Sequence, residues 1–340
     1  MNARVFGFLF WFGLVFAAFG CSREQAPSAG GTAGSAPAAA GSAAAAPAKV
    51  KLVLNWVPEP EFGGFYAARE IGAYKRNGLE VEILGGGAGV PVLQMVATGK
   101  AEYGISNADE IITAVSRGAD IVALFTIYQT FPQGIMAHPS RGAKSMADVL
   151  SSGTLAIEPG VPYAAFLKKK YGFDKVKIVP YDGGVARFIA EKDFAQQCFV
   201  TAEPVAARRK GVEPTVFLVA DEGFNPYAGV VIARKALWKE HPEQVRAFVR
   251  ASREGWRAYL DDPTPANAVM AKLNTGMDAD TFKTAAELQE KFVETEETKK
   301  KPNGLGQMTR ERWETMGKQL VELGHIERAP AVDDYLVTIE

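Results

Sequence analysis

The sequence predicts an α/β protein, with parallel sheets covered on both faces by helices, behind an apolar leader and a flexible segment. Three observations carry this. From Lys49 to about Ala233, short β-rich runs alternate with helical stretches of roughly ten to fifteen residues, the spacing of βαβ units. After Ala233 the pattern is almost entirely helical. The 340 residues are 47% hydrophobic, enough core for two domains. With 38 Lys+Arg against 39 Asp+Glu the chain lacks the basic excess of a nucleic-acid binder. Three His and two Cys provide neither a His/Cys metal site nor a disulfide framework, so no metal and no cofactor are expected.

Residues 1–20 read as a signal peptide: Arg4, then an apolar run from Val5 to Phe19. The run is shorter than the ~20 residues of a membrane span and suits a signal-peptide core. Ala17, Ala18 and Gly20 ahead of Cys21 resemble a bacterial lipobox, which implies lipidation of Cys21 and removal of residues 1–20. Ordinary secretion, or an uncleaved anchor, is the alternative. Of the 27 residues from Ser22 to Ala48, 24 are Ala, Gly, Ser, Pro or Thr. Too apolar-poor to offset its chain entropy, this segment is expected to be a disordered tether spanning roughly 30 Å. Leader, Cys21 and tether describe a domain held at the periplasmic or extracellular face of a membrane. Cys198 then remains as the single unmodified thiol, at a buried strand end, and is expected to be structural.

The elements follow in order. Lys51–Trp56 reads as a strand ended by Pro58 and Pro60, Gly64–Asn77 as a helix stopped by Asn77-Gly78, and Leu79–Leu84 as an alternating strand. Then come a helix over 91–98, a strand over 102–105, a helix over 109–117 and a strongly apolar strand over 121–130. Strands are expected at 134–137, 154–157, 176–181, 197–200, 215–220 and 227–233. Helices are expected at 145–150, 163–171, 184–192 and 204–210 between them, and at 242–260, 266–274, 280–292 and 310–323 beyond. No internal repeat of fixed period is present.

Open α/β sheets bind ligands beyond the carboxyl ends of their strands. Those loops are rich in rings, carboxylates and amides and hold no basic residue, which disfavours an anion bound by side-chain charge. Helix starts near Asn107 and Gly160 could still take one on backbone N–H groups. Other motifs have plainer readings. Gly85-Gly86-Gly87-Ala88-Gly89 lacks the Gly-Lys-Ser/Thr of a phosphate loop and reads as a flexible turn. The run from Glu296 to Lys301 reads as a solvated loop, His138 and His325 as surface residues, and His241 as part of a helix start. No Gly-x-Ser-x-Gly elbow is present.

Leu54-Asn55-Trp56-Val57-Pro58, the aromatic-small helix start Gly64-Phe65-Tyr66, Gly72-Ala73-Tyr74-Lys75-Arg76-Asn77-Gly78-Leu79-Glu80-Val81, Gly99-Lys100-Ala101-Glu102-Tyr103-Gly104 and Trp238–Phe248 occur in that order. Together they resemble the ABC-transporter solute-binding lipoproteins of the thiamine-pyrimidine synthase-like and alkanesulfonate-binding superfamily, over about residues 49–325. The resemblance implies a type II periplasmic-binding fold. Its first lobe would take 49–131 plus 232–340 and its second 132–231, and the two would close on a solute by hinge motion. The superfamily also holds synthases that use pyridoxal phosphate. As aligned, their cofactor lysine and histidine correspond to Ser106 and Glu110 here, and their iron-binding cysteine run to Asn225–Gly229. Without that lysine or those thiols, the chain is expected to be a binder and not an enzyme.

The expected ligand-binding residues are Asn55, Trp56, Glu59, Glu61, Phe62, Tyr66, Ser106, Asn107, Tyr128, Glu158, Tyr163, Asp182, Glu203, Asn225 and Tyr227. Trp56, Phe62, Tyr66, Tyr128, Tyr163 and Tyr227 suit stacking on a planar heterocycle, or are simply core. The carboxylates and amides suit its N–H groups, favouring a thiamine pyrimidine precursor or a similar vitamin precursor, riboflavin included. An alkanesulfonate, taurine or nitrate is the alternative, repelled by those carboxylates. Expected partners are the solute, an ABC permease with its ATPase, and the membrane through the lipid anchor; no nucleic acid is involved and a monomer is expected. A sensory lipoprotein without a transporter is a reading of a different class. Cys21→Ser is expected to release the protein from membranes, checked by fractionation; persistent attachment would make the apolar run itself the anchor.

Overall fold

Leu79 and Val81 turn inward while Glu80 and Glu82 face water, as period-two alternation requires of a half-covered strand. The computed structural model describes residues 46–87 and 89–339, so the apolar leader, Cys21 and the segment up to residue 45 lie outside the described residues. The strands are β1 (Ala48–Val53), β2 (Leu79–Leu84), β3 (Tyr103–Ser106), β4 (Ile121–Tyr128), β5 (Gln133–Ala137), β6 (Thr154–Ala156), β7 (Lys177–Val179), β8 (Phe194–Phe199), β9 (Thr215–Leu218) and β10 (Ala228–Arg234). They form two five-stranded sheets, ordered β2-β1-β3-β10-β4 and β7-β6-β8-β5-β9.

The sheets are mixed, not purely parallel as expected. β10 runs antiparallel to both β3 and β4, and β5 antiparallel to both β8 and β9. These two strands directly follow the passages between sheets, through 129–132 outward and 219–227 on the return. A strand entering straight from the other sheet has no crossover helix to turn it parallel to its neighbours. All of β10 belongs to the first sheet, so the return falls ahead of Ala228, several residues before the expected 232. Every residue of β4 is buried. Its outer edge is covered by the C-terminal tail, where Ala123 N donates to Tyr335 O at 2.7 Å and Val337 N to Ala123 O at 3.0 Å.

Several local expectations change. The helix foreseen over 64–77 is two, Gly63–Glu70 and Ala73–Arg76, because Gly72 sits left-handed at φ 72° and breaks the ladder. The charges of the run from Glu296 are solvated as expected, but Glu296–Lys299 is a helical turn and not a loop, capped reciprocally by Thr295 and a buried Thr298. His138 is buried, with Nδ1 2.6 Å from Ser140 Oγ and its ring against Phe188. Cys198 lies within β8 and is buried, as a structural thiol would be. Among the described residues no helix is long and apolar enough to cross a membrane.

The helix Gly63–Glu70 follows the β1 loop and packs on the long helix Pro242–Asp261. The contact is as close as backbones allow. A Cβ on Gly64 would lie 2.2 Å from the Trp256 ring, and one on Gly255 2.2 Å from Gly64 O. Phe65 meets Trp256 edge-to-face at 6.0 Å on the same surface. Gly64→Val is therefore expected to destabilise the fold by about 1–3 kcal/mol through overpacking, measured by urea denaturation.

Candidate functional site

After β1 the chain cannot continue as strand, because Pro58 and Pro60 withhold N–H donors. It turns instead through a 3-10 turn, Pro60–Phe62, in which Phe62 N donates to Glu59 O at 2.9 Å. Phe62 and Pro60 are buried, drawing Glu59 and Glu61 inward with them. On the other sheet, β8 gives way to the helix Glu203–Arg209. There the Glu203 carboxylate accepts Phe199 N at 2.7 Å and the Tyr181 hydroxyl at 2.5 Å. The two sheets thus present three carboxyl groups to one another. Burial, reinforced by the charge of Glu203, pushes Glu59 up to about 7. Burial, then Glu59 and Glu203, holds Glu61 well above the usual carboxylate range. Burial also raises Glu203, against the two hydrogen bonds it accepts.

Tyrosines surround this cluster. Tyr128, at the end of β4, donates to Gln289 Oε1 at 2.7 Å, and burial together with nearby Glu61 raises its hydroxyl. Its ring meets Phe199 of the other sheet edge-to-face at 5.6 Å. Tyr163 donates to Gln197 Oε1 at 2.8 Å, and the same oxygen accepts Glu158 N at 2.6 Å. Burial raises the Tyr163 hydroxyl, aided by Glu158, Cys198 and Glu203 and, from the first sheet, Asp109.

The remaining expected residues divide by environment. Ser106 is buried and donates to Glu110 Oε2 at 2.6 Å, while Asn107 caps the helix Ala108–Ser116 and accepts Gly229 N at 3.2 Å. Glu158 and Asp182 have exposed side chains, and Asp182 bonds its own turn at Gly184 N, 3.2 Å away. Asn225 accepts Phe131 N at 2.8 Å, and Tyr227 is buried with its hydroxyl accepting Thr309 N at 2.9 Å. Of the expected stacking rings, Phe62, Tyr66, Tyr128, Tyr163 and Tyr227 are at most 5% exposed, whereas Trp56 is 43% exposed. Trp56 is therefore the one of these rings that is open to solvent. Among the described residues, the buried polar atoms without a hydrogen-bond partner include Asn55 Oδ1, the Tyr66 hydroxyl and Asp109 Oδ1.

Sequence reasoning passed over Tyr181, Gln197, Asp109 and Arg312. Gln197 carried a signal, a polar residue inside an apolar strand. Asp109 looked like an ordinary acid in a helix's first turn; burial and the Glu110 charge raise it to about 7. Arg312 lies far along the chain, yet its guanidinium stands 3.9 Å over the Tyr227 ring. Among the described residues no group of three or more His, Cys, Asp or Glu side chains is arranged to hold a metal ion.

Two mixed sheets joined by two passages, with polar side chains facing between them, define a periplasmic-binding-protein fold of the expected type II. The same fold is found in the periplasmic aliphatic sulphonate binding protein SsuA from Escherichia coli. The match has a TM-score of 0.66 at 14% identity, covering 86% of this chain and 93% of that one. Residues 59–266, more than half of the chain, match the NMT1/THI5 like family, and the chain belongs to that family. It is similar to the riboflavin-binding protein RibY of Chloroflexus aurantiacus, 30% identical over 228 residues, 64% of each chain, so the match spans slightly under two thirds of RibY. It is also similar to the formylaminopyrimidine-binding protein of Halalkalibacterium halodurans, 23% identical over 301 residues, 85% of this chain and 90% of that one.

A carboxyl group raised in the folded state binds more protons there than in the unfolded chain. Its contribution is therefore complete below the unfolded value and is lost as pH rises through the folded one. For Glu59 that window runs from 4.5 to about 7. The melting temperature is expected to fall by several degrees between pH 5 and pH 8, and Glu61→Gln is expected to flatten the profile, followed by calorimetry.

Proposed function

We propose that this chain is the extracytoplasmic solute-binding component of an ABC importer. It captures a small aromatic nitrogen heterocycle, a formylaminopyrimidine-type thiamine precursor or riboflavin, between its two lobes. The observation that carries the ligand class is the set of three half-buried carboxyl groups, Glu59 and Glu61 beside one sheet and Glu203 beside the other, whose protonated form burial favours. Such groups can accept N–H bonds from a ligand, and any of them that is ionised disfavours a permanent anion. Unpartnered Asn55 Oδ1 and Asp109 Oδ1 add acceptors of the same kind. The names of the riboflavin- and formylaminopyrimidine-binding relatives agree with that chemistry.

In this reading the lobes comprise the two sheets with their helices. Trp56 stacks on the ring, Glu59, Glu61 and Glu203 hold its donor edge, and Tyr128 and Tyr163 line the floor. Asn107, Ser106, Tyr66, Asn225 and Tyr227 support these groups, while Glu158 and Asp182 serve the rim. Binding, without chemistry on the ligand, is the activity. Ser106 and Glu110, which stand where the family's synthases carry their lysine and histidine, are bonded to each other at 2.6 Å. Closure then presents the loaded form to a permease and its ATPase at the membrane that holds the Cys21 anchor.

A thermal-shift panel of aminopyrimidines, thiamine, riboflavin, taurine, short alkanesulfonates and nitrate tests the reading. A heterocycle at a hundredfold excess over its dissociation constant should stabilise by about 2.7 kcal/mol. Stabilisation by a sulfonate or nitrate alone would overturn the ligand class while leaving the fold untouched. Trp56→Ala is expected to weaken heterocycle binding by roughly 1–3 kcal/mol with an unchanged melting temperature, by titration calorimetry.

A further inference from the structure

The passages between sheets are tied together from outside by one side chain. Arg312, in the helix Arg310–Glu322, donates Nε to Asn225 O at 2.7 Å, Nη2 to Asn225 Oδ1 at 2.8 Å and Nη2 to Pro226 O at 3.0 Å, all on the return passage. Its Nη1 donates to Gln129 O on the outward passage. Asn225 Oδ1 also accepts Phe131 N at 2.8 Å, closing the ring between the passages. The same region of the C-terminal chain holds the outward passage a second time. Gln129 N donates to Phe292 O at 2.7 Å, and Gln129 Nε2 to Gln307 O at 2.8 Å.

None of the oxygens that Arg312 reaches belongs to a carboxylate. A cation half-buried among carbonyls is costly unless its geometry is needed, and only a planar fork reaches two segments and a ring face at once. That face lies 3.9 Å over Tyr227, whose hydroxyl is fixed by Thr309 N one turn earlier. Hinge closure concentrates φ/ψ change in a few residues of such passages. Two passages bridged by one rigid cation must turn together.

We infer that Arg312 is a positioning residue for ligand binding: it couples the two interlobe passages and sets the angle from which the lobes close. This rests on the reading that the lobes move when solute binds. The test uses the full chain carrying Cys21→Ser, with spin labels at Lys75→Cys and Lys210→Cys, exposed sites in a helix beside the first sheet and at the end of the helix Glu203–Arg209 beside the second. Interlobe distances are measured by electron–electron double resonance, free and with riboflavin or formylaminopyrimidine. With Arg312 present, the free chain is expected to give one narrow peak that shifts on binding. In Arg312→Met the free-state distribution is expected to widen at least twofold, and affinity to fall about tenfold, mainly through slower association. A purely structural role would lower the melting temperature and leave the width alone. Unchanged width and affinity in a folded Arg312→Met would overturn the inference. Should that variant not fold, Arg312→Lys, which keeps the charge without the fork, is expected to widen the free-state distribution, and an unchanged width would overturn it equally. A peak that neither probe moves in the Arg312 chain counts against the binding reading, whereas the free-state widths still decide the role of Arg312.

Discussion

Two short passages between the sheets are the constraint on which the rest depends. Because 129–132 leads straight into β5 and 219–227 straight into β10, both strands enter their sheets antiparallel to their neighbours. The same threading brings the loops after β1 and β3 opposite those after β6 and β8. Glu59 and Glu203, 144 positions apart in sequence (203 − 59), act on each other only because of it. The elements that follow β10 then return to brace the joint. Phe292, Gln307, Thr309 and Arg312 each meet one of the passages or Tyr227. The long C-terminal helical region thus supports the site without supplying the carboxyl groups in it.

A second constraint is close packing behind the site. Gly64 and Gly255 let two helix backbones meet, with Trp256 and Tyr259 filling the space around them. The 3-10 turn that carries Glu61 runs directly into that helix, so the position of a desolvated carboxyl depends on two residues without side chains. Gln289 links the layers further, accepting from Tyr128 at 2.7 Å and donating to Pro60 O at 2.8 Å. The turn bearing Glu59 and Glu61 is therefore fixed at both ends.

What could be read in the sequence follows physical range. β2 alternates over Leu79–Glu82 and its bounds were legible to the residue, and the helix 242–261 followed from its apolar periodicity and His-Pro-Glu start. Strand direction was not legible, since alternation reports which faces are buried and says nothing of which way a neighbour runs. Glu59, Glu61 and Glu203 were visible as loop carboxylates, but their desolvation was not, because it comes from residues distant in the chain. Five of the six candidate stacking rings are at most 5% exposed, while Trp56 is open, a difference that the sequence alone did not mark. Arg312 left no local mark: its partners lie 86 to 183 positions away.

The energetic character of the site argues for its use. Three half-buried carboxyl groups whose ionisation is disfavoured cost the fold stability as pH rises to neutrality, and packing alone gives no reason for them. Hydrophobic residues of similar volume would fill the same space at less cost. Proteins keep such groups where a partner offsets the penalty, and a ligand with N–H donors on one edge offsets it directly. Arg312, the cation that bridges the passages, spends its hydrogen bonds among the described residues on carbonyl oxygens there and none on the carboxyl cluster. Pairing with Glu59 or Glu203 would neutralise the cluster and remove its preference for a donor. In the proposed reading, ligand recognition and lobe geometry thus rest on different residues.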